Sequence, residues 1–427
     1  MARFLHVADI HLGFDRYNNR VRSQDFFYAF YDLLQRYAVD EQVDFVIIVG
    51  DLFEHRTIQP STLNQAQYCL RLLQQANIPV IAIEGNHDNR PYGTKTSWLR
   101  YLAEWGLLIF LEPGDNSDGE PLLPPWNAED NRGCYIDLDC DVRVIGSYWY
   151  GAMAPQAIEQ MAGAIQQLPT GPSQTVMLFH HGLEGHVSRY AGALRYEELL
   201  PLRHAGVDYL ALGHIHKSYS VENWLFNPGS IEVNSIEESR YERGVYLVEL
   251  VNNQVTAQLC QDYQQRSVVR LQLKLSGKEL VNEVETAAYD CVQAAIASQS
   301  LIPTEQPIVE LRISGTVGFE PLDLNTKALQ QQLKDACGAL IFLLRYDVDP
   351  LTYQSPLSDG EDRYYIEEEI YRDIVASHSA YRNHTQTLAQ GLISLKDSYL
   401  QNQPEPELYE IVGQLLETTS KGTQDDS

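Results

Sequence analysis

Positive charge is scarce in this chain. Its 427 residues carry 31 lysines and arginines against 58 aspartates and glutamates, a formal net charge of −27. A chain this acidic repels phosphate at long range, so its general field does not hold a polyanion. Any nucleic-acid ligand needs bound cations, a local basic patch or a basic partner. Paired cysteines are also missing. Cys69, Cys134, Cys140, Cys260, Cys291 and Cys337 include no C-x-x-C pair, and their scatter suits reduced core thiols better than a disulfide framework. No apolar run reaches the roughly 20 residues of a membrane helix, so no membrane association is expected. The opening residues lack the charged, apolar and small-residue order of a secretory leader. Together with the thiols, this points to the cytoplasm. The absence of a G-x-x-x-x-G-K-[ST] loop argues against P-loop nucleotide hydrolysis.

What is present is a repeated pattern of apolar runs that end in polar groups. Phe4-Leu5-His6-Val7-Ala8 reads as a buried strand and stops at Asp9-Ile10-His11. An Asp and a His two apart at a strand end point the same way. The spacing of Phe26, Phe27, Phe30, Leu33, Leu34 and Tyr37 predicts a helix over about 23–41. Phe45-Val46-Ile47-Ile48-Val49 is continuous and apolar, as in a strand covered on both faces, and it ends in Gly50-Asp51. A helix is expected over 63–76. Pro79 to Ile83 is a third such strand and runs into Glu84-Gly85-Asn86-His87-Asp88. Val176 to Phe179 ends in His180-His181-Gly182, and Val207 to Leu212 ends in Gly213-His214-Ile215-His216. Strand–helix alternation with polar groups at strand C-termini is the pattern of an α/β fold whose site lies beyond the strand ends.

These donors are oxygen and imidazole nitrogen, without thiolate. That set suits Mn²⁺, Fe²⁺ or Zn²⁺ and argues against a structural zinc site. There are too many for one ion. Two ions roughly 3.5–4 Å apart, sharing one carboxylate, would use them all and form the clamp of phosphoester hydrolysis. Asp51, alone in its motif, is the expected bridge.

The order D-x-H, G-D-x-x, G-N-H-D, H-x-G and G-H-x-H resembles the calcineurin-like metallophosphoesterase superfamily. Val7-Ala8-Asp9-Ile10-His11-Leu12, Gly50-Asp51-Leu52-Phe53, Leu212-Gly213-His214-Ile215-His216 and Asn227-Pro228-Gly229-Ser230 resemble the SbcD-type DNA-repair exonucleases. The resemblance implies an α/β fold: a β-sandwich flanked by helices in an αββα arrangement, with a smaller α+β capping domain and a helical C-terminal tail. It implies a metallophosphoesterase domain over 1–262, a capping or DNA-binding domain over 263–348 and an acidic helical region over 349–427. It further implies one metal held by Asp9, His11, Asp51 and His216, and a second by Asp51, Asn86, His180 and His214. Both are expected to be manganese. His87 takes the catalytic position, and His181 the place before the glycine where the family often has a polar residue. The implied activity is hydrolysis of DNA phosphodiester bonds. The implied partners are DNA and an SbcC-type coiled-coil ATPase, and a homodimer is compatible with the pattern.

One departure stands out. Several exonuclease relatives have a phosphate-contacting histidine directly after Gly-Asp-x-Phe, where this chain has Glu54, with His55 one residue later. Two other readings stay open: a small-molecule or nucleotide phosphodiesterase or phosphatase on the same site, and a non-catalytic DNA-end tether or ATPase regulator.

Overall fold

The apolar runs become strands because both of their faces are covered. All five residues of Phe45–Val49 are buried, as are all four of Val80–Ile83 and of Tyr209–Leu212. The computed structural model describes residues 1–114, 121–186, 193–252, 254–350, 363–376, 384–401 and 403–420. Two six-stranded sheets dominate it. The first begins with β1 (Ala2–Val7), β2 (Phe45–Val49), β3 (Val80–Ile83) and β4 (Ile109–Phe110). The second is built from β5 (Tyr135–Leu138), β6 (Val142–Ile145), β7 (Gln174–Phe179), β8 (Tyr209–Leu212), β9 (Tyr219–Val221) and β10 (Leu225–Asn227). The chain then returns with β11 (Val245–Val251) and β12 (Gln254–Cys260) to complete the first. The strand orders are β12-β11-β1-β2-β3-β4 and β5-β6-β7-β8-β10-β9. The run β1 to β4 is parallel, as is the run β6, β7, β8, β10. Their C-terminal ends therefore lie along common edges.

The layers follow from which side chains alternate inward. Phe4, Phe45, Ile47 and Ile81 of the first sheet share one apolar cluster with Val144, Val176, Leu178 and Tyr209 of the second. That cluster is the sandwich interior. The opposite face of the first sheet packs against α1 (Arg20–Leu34), α2 (Pro60–Gln75) and α3 (Trp98–Glu104). The opposite face of the second packs against α4 (Ala154–Ile165) and α5 (Tyr196–His204). This is the expected αββα layering. A third sheet of β13 (Val268–Ser276), β14 (Ile308–Val317) and β15 (Ile341–Pro350) is interleaved with α6 (Val281–Ala297) and α7 (Thr326–Cys337). Three helices close the chain: α8 (Arg363–Ala376), α9 (Thr385–Leu400) and α10 (Glu405–Ser420). Among the described residues no helix is long and apolar enough to cross a membrane.

The chain divides into two compact units. One comprises Met1–Leu271, Tyr289–Arg312 and Lys327–Arg345, the other Gln272–Ala288, Ile313–Thr326 and Tyr346–Ser427. In the second unit α8 and α9 are joined by an ion pair between Lys396 and Glu367. Some elements differ from expectation. The first helix starts at Arg20, because the Asn19 side chain accepts from Val21 N–H at 2.9 Å and caps it. Its last turn widens into a π-turn over Gln35–Val39. The short α3 and the proline-containing α5 escape a periodicity search, since neither spans enough turns to repeat a pattern.

One buried polar bridge ties the sheets together. His6 on β1 is wholly buried, with Nδ1 2.9 Å from the Tyr209 hydroxyl and Nε2 3.0 Å from the Leu212 carbonyl. A carbonyl only accepts, so Nε2 carries the proton and Nδ1 accepts from Tyr209. The neutral ring thus satisfies both nitrogens. Burial lowers its pKa from the ordinary 6.5 to about 3, with the Leu212 carbonyl opposing weakly. The unfolded ring binds a proton below pH 6.5 and the folded ring does not, so stability falls as pH drops from about 6.5 towards 3. Replacing His6→Gln should remove about 1.4 kcal/mol per pH unit of that slope. Urea unfolding of both proteins between pH 7 and 4 checks it; parallel pH profiles would contradict it.

Candidate metal centre

Backbone turns, rather than strand alternation, aim the donors. Asp9 (φ 51°), His11 (φ 52°), Asp51 (φ 52°) and His214 (φ 81°) all occupy the left-handed region. Non-glycine residues there are uncommon and cost of order 1 kcal/mol or more each, so the surroundings must hold them. The loop after β1 is held by backbone pairing with the loop after β2. Ile10 and His11 N–H donate to the Asp51 carbonyl at 2.9 and 3.0 Å, and Leu12 N–H donates to Leu52 O at 2.9 Å. Asp88, nearly buried, accepts from Leu52, Phe53 and Gly85 N–H at 3.1, 3.0 and 3.1 Å. It clamps the loops after β2 and β3 together. Two glycines permit the close approach. A Cβ on Gly85 would lie 2.1 Å from Asp51 Oδ1, and one on Gly50 2.3 Å from His180 Nδ1.

All the expected donors come to one edge of the sandwich. Asp9, His11 and His216 form one group of ligand atoms lying within 4.8 Å of one another, and Asp51, His180 and His214 form another. Asn86 Oδ1 joins the second, 3.2 Å from His180 Nε2 and 2.8 Å from His214 Nδ1. Asp51 Oδ2 is 3.3 Å from His180 Nε2. Asp51 also acts electrostatically on His11, so its charge is felt by both groups.

The proton positions decide what this convergence means. His180 Nδ1 lies 2.7 Å from the Val49 carbonyl and donates to it. His216 Nδ1 lies 3.1 Å from Glu238 Oε2 and donates to that carboxylate. His11 Nδ1 stands 2.8 Å from Glu54 Oε2, off a good hydrogen-bond line. With the protons on Nδ1, the Nε2 lone pairs of His11 and His216 face each other at 3.2 Å. The Nε2 of His180 likewise faces only acceptor oxygens. Such an array is repulsive unless a proton or cation sits inside it. A ring held by its other nitrogen on a carbonyl or carboxylate is the usual support of a metal-bound histidine. The residues present therefore fit a pair of borderline divalent cations.

The surrounding charges favour positive occupants. Burial lowers the pKa of His180, but Asp51 and Asp9 outweigh it and lift it to about 9. Burial alone would raise Asp51, yet His180 and His11 hold it well below the usual carboxylate range. Burial raises Asp9, with the neighbouring histidines opposing. Burial, aided by the positive charge of His180, drops His214 to about 3, so it is a neutral donor.

His87 sits beside this array. Its Nδ1 donates to the Glu54 carbonyl at 2.6 Å, and its backbone N–H donates to Asp51 Oδ1 at 2.9 Å. His181 is buried between the carbonyls of Gly151 and Gly182, both at 3.2 Å; its ring centroid is 6.3 Å from that of His214, but it is in neither three-residue donor group. His55 is half exposed, with Nε2 3.0 Å from Asp15 Oδ2. Three residues escaped the sequence: Glu54 and Glu238 behind the imidazoles, and Asp88 under the loops. Asp88 carried a signal as the last letter of Gly-Asn-His-Asp, and Glu54 as the residue standing where relatives have a histidine; Glu238 carried none.

The sequence matches the calcineurin-like phosphoesterase family over residues 2–218. It is similar to a protein of Archaeoglobus fulgidus named DNA double-strand break repair protein Mre11, 44% identical over 247 residues, or 56% of this chain and 52% of that one. The protein of the same name from Methanosarcina mazei is 44% identical over 105 residues, covering 25% of this chain and 16% of that one. The one from Saccharolobus solfataricus is 24% identical over 383 residues, covering 86% and 89%. The match thus spans about half the length of the first of these relatives.

The Asp88 clamp makes a prediction. Asp88→Ala strands three backbone N–H groups and should cost about 2–4 kcal/mol of stability. Urea unfolding measures it, and a loss under about 0.5 kcal/mol, the size of a surface change, would contradict the clamp.

Proposed function

The chain belongs to the calcineurin-like phosphoesterase family, and from that premise we propose that it is a two-metal phosphodiesterase acting on DNA, the nuclease of a repair complex of the SbcCD kind. The observation that carries this reading is the facing pair of Nε2 atoms on His11 and His216, 3.2 Å apart with both Nδ1 atoms beside carboxylates. Asp9, His11, Asp51 and His216 would hold one ion, and Asp51, Asn86, His180 and His214 the other. Two divalent cations there, manganese on this reading, would polarise the phosphate and make water acidic enough to attack near neutral pH. They would also cancel the local aspartate charge that otherwise repels DNA in a chain of net charge −27.

The protein's own groups do the rest. His87 is fixed through Nδ1 on the Glu54 carbonyl. Its other ring nitrogen is the group to give a proton to the leaving oxygen. Glu54 stands where some relatives have a phosphate-contacting histidine, and here that carboxylate lies beside His11. His55 pairs with Asp15, so phosphate orientation rests on the metals and His87 in this scheme.

The substrate and partners complete the proposal. The names of the relatives support DNA repair, and an SbcC-type coiled-coil ATPase is the partner that fits. The division 1–262, 263–348 and 349–427 assigns catalysis, capping and docking to successive segments. Ile366, Ile370 and Ile374 recur at four-residue spacing in α8, with Ile370 and Ile374 about half exposed, and this apolar face is the one proposed to dock on the partner. Co-purification with such an ATPase, with and without residues 358–427, tests that assignment; equal recovery contradicts it.

Asp51→Ala should lose manganese binding and phosphodiester cleavage together, by calorimetry and a chromogenic diester. His87→Ala should bind manganese normally and lose about 10²–10⁴ in rate. Linear DNA, single-stranded DNA, cyclic nucleotides and the chromogenic diester, each with Mn²⁺, separate a nuclease from a small-molecule enzyme. Undiminished manganese-dependent cleavage by Asp51→Ala would end the reading.

A further inference from the structure

A short 3-10 turn, Ile236–Arg240, touches two things at once. On one side its Glu238 carboxylate accepts the Nδ1–H of His216 at 3.1 Å. On the other side its two preceding residues bind the strand starts of the third sheet. Ile236 is buried in a cluster with Ile308 and Ile341, lined by Tyr17, Val268 and Leu343. Glu237 forms an ion pair with Arg345. Arg345 Nε in turn reaches Glu310 at 2.5 Å, and Glu310, 1% exposed, also holds Arg270 Nη2 at 2.7 Å. The turn itself is stiffened. The Tyr17 hydroxyl accepts from Ile236 N–H at 3.2 Å, and Arg243 donates to the carbonyls of Glu238 and Tyr241.

Glu238 cannot move without its neighbours. In a 3-10 turn each residue is fixed by hydrogen bonds to those three along, so displacement of Ile236 and Glu237 displaces Glu238. The His216 ring rotates about its own side-chain bonds, and its orientation is set by what holds Nδ1. The apolar cluster and the two-arginine, two-glutamate network are therefore mechanically in series with a metal donor.

We propose that Glu238 is a positioning residue for His216 and that Arg345, acting through the Ile236–Arg240 turn, sets where Glu238 stands, so that metal affinity depends on how β14 and β15 seat against the turn. This rests on the metal-centre reading above. It gives the third sheet a role in tuning the centre. A ligand that shifts Arg345 or Glu310 changes how firmly His216 is held, and bound metal in turn favours the seated arrangement.

The test is manganese binding to the full chain, with histidine-labelled NMR of the metal-free protein as a second readout. Glu238→Ala should weaken binding about 10- to 100-fold and remove the hydrogen-bonded His216 Nδ1–H resonance. Glu238→Gln keeps an acceptor and should recover most of the affinity, which covers the case in which the alanine variant folds poorly. Arg345→Met leaves Glu310 with Arg270 and touches no donor. It should weaken binding about 2- to 30-fold and shift the same resonance, while Arg345→Lys stays near wild type. Loss of the exposed Arg195–Glu198 pair, as Arg195→Met, should do neither. If Arg345→Met folds and leaves both affinity and resonance unmoved, the proposal is overturned. If the unaltered chain binds no manganese, the metal-centre reading itself fails, a result distinct from the first.

Discussion

The Nε2 atoms of His11 and His216 meet at 3.2 Å, a distance that calls for a proton or a cation between them. On the far side of the rings a carboxylate stands beside each Nδ1: Glu238 accepts from His216, and Glu54 Oε2 lies 2.8 Å from His11. His180 donates its Nδ1 proton to the Val49 carbonyl, which leaves Nε2 facing the oxygens of Asp51 and Asn86. Positive charge inside the cluster, a proton or a cation, relieves such a meeting.

The cost is spread over the backbone. Asp9, His11, Asp51 and His214 hold left-handed conformations, and a methyl group on Gly50 or Gly85 would collide with the site. Paired loops, the three-donor Asp88 clamp and central strands covered on both faces offset it. The loops after β1, β2 and β3 are each hydrogen-bonded to the next, which ties the donors from three strands together. His6 does the same between sheets, joining β1 to β8 just before each delivers its donors.

Much of this was legible in the residues. Apolar runs such as Phe45–Val49 are long enough to be strands and too short to be helices, and a donor after each marks a strand end. The αββα layering followed from resemblance, since periodicity alone does not say that the strands split between two sheets. The period-two argument for Asp9 and His11 reached the right neighbours for an incomplete reason, as two left-handed residues set their directions. Glu238 and Glu54 were invisible as supports. Each is one acid among 58, and only the fold brings them within 3.1 Å of an imidazole. The helix from Arg20 was placed late because its start is set by the Asn19 cap rather than by apolar spacing.

The claim beneath all of this is that cations, not protons, resolve the facing lone pairs. Diffraction from crystals grown with manganese, using its anomalous signal, addresses it most directly. The account predicts two peaks about 3.5–4 Å apart, one between His11 and His216 Nε2, one among Asn86, His180 and His214, with Asp51 between them. A single peak elsewhere, or none with His11 and His216 still joined at hydrogen-bond distance, would contradict it.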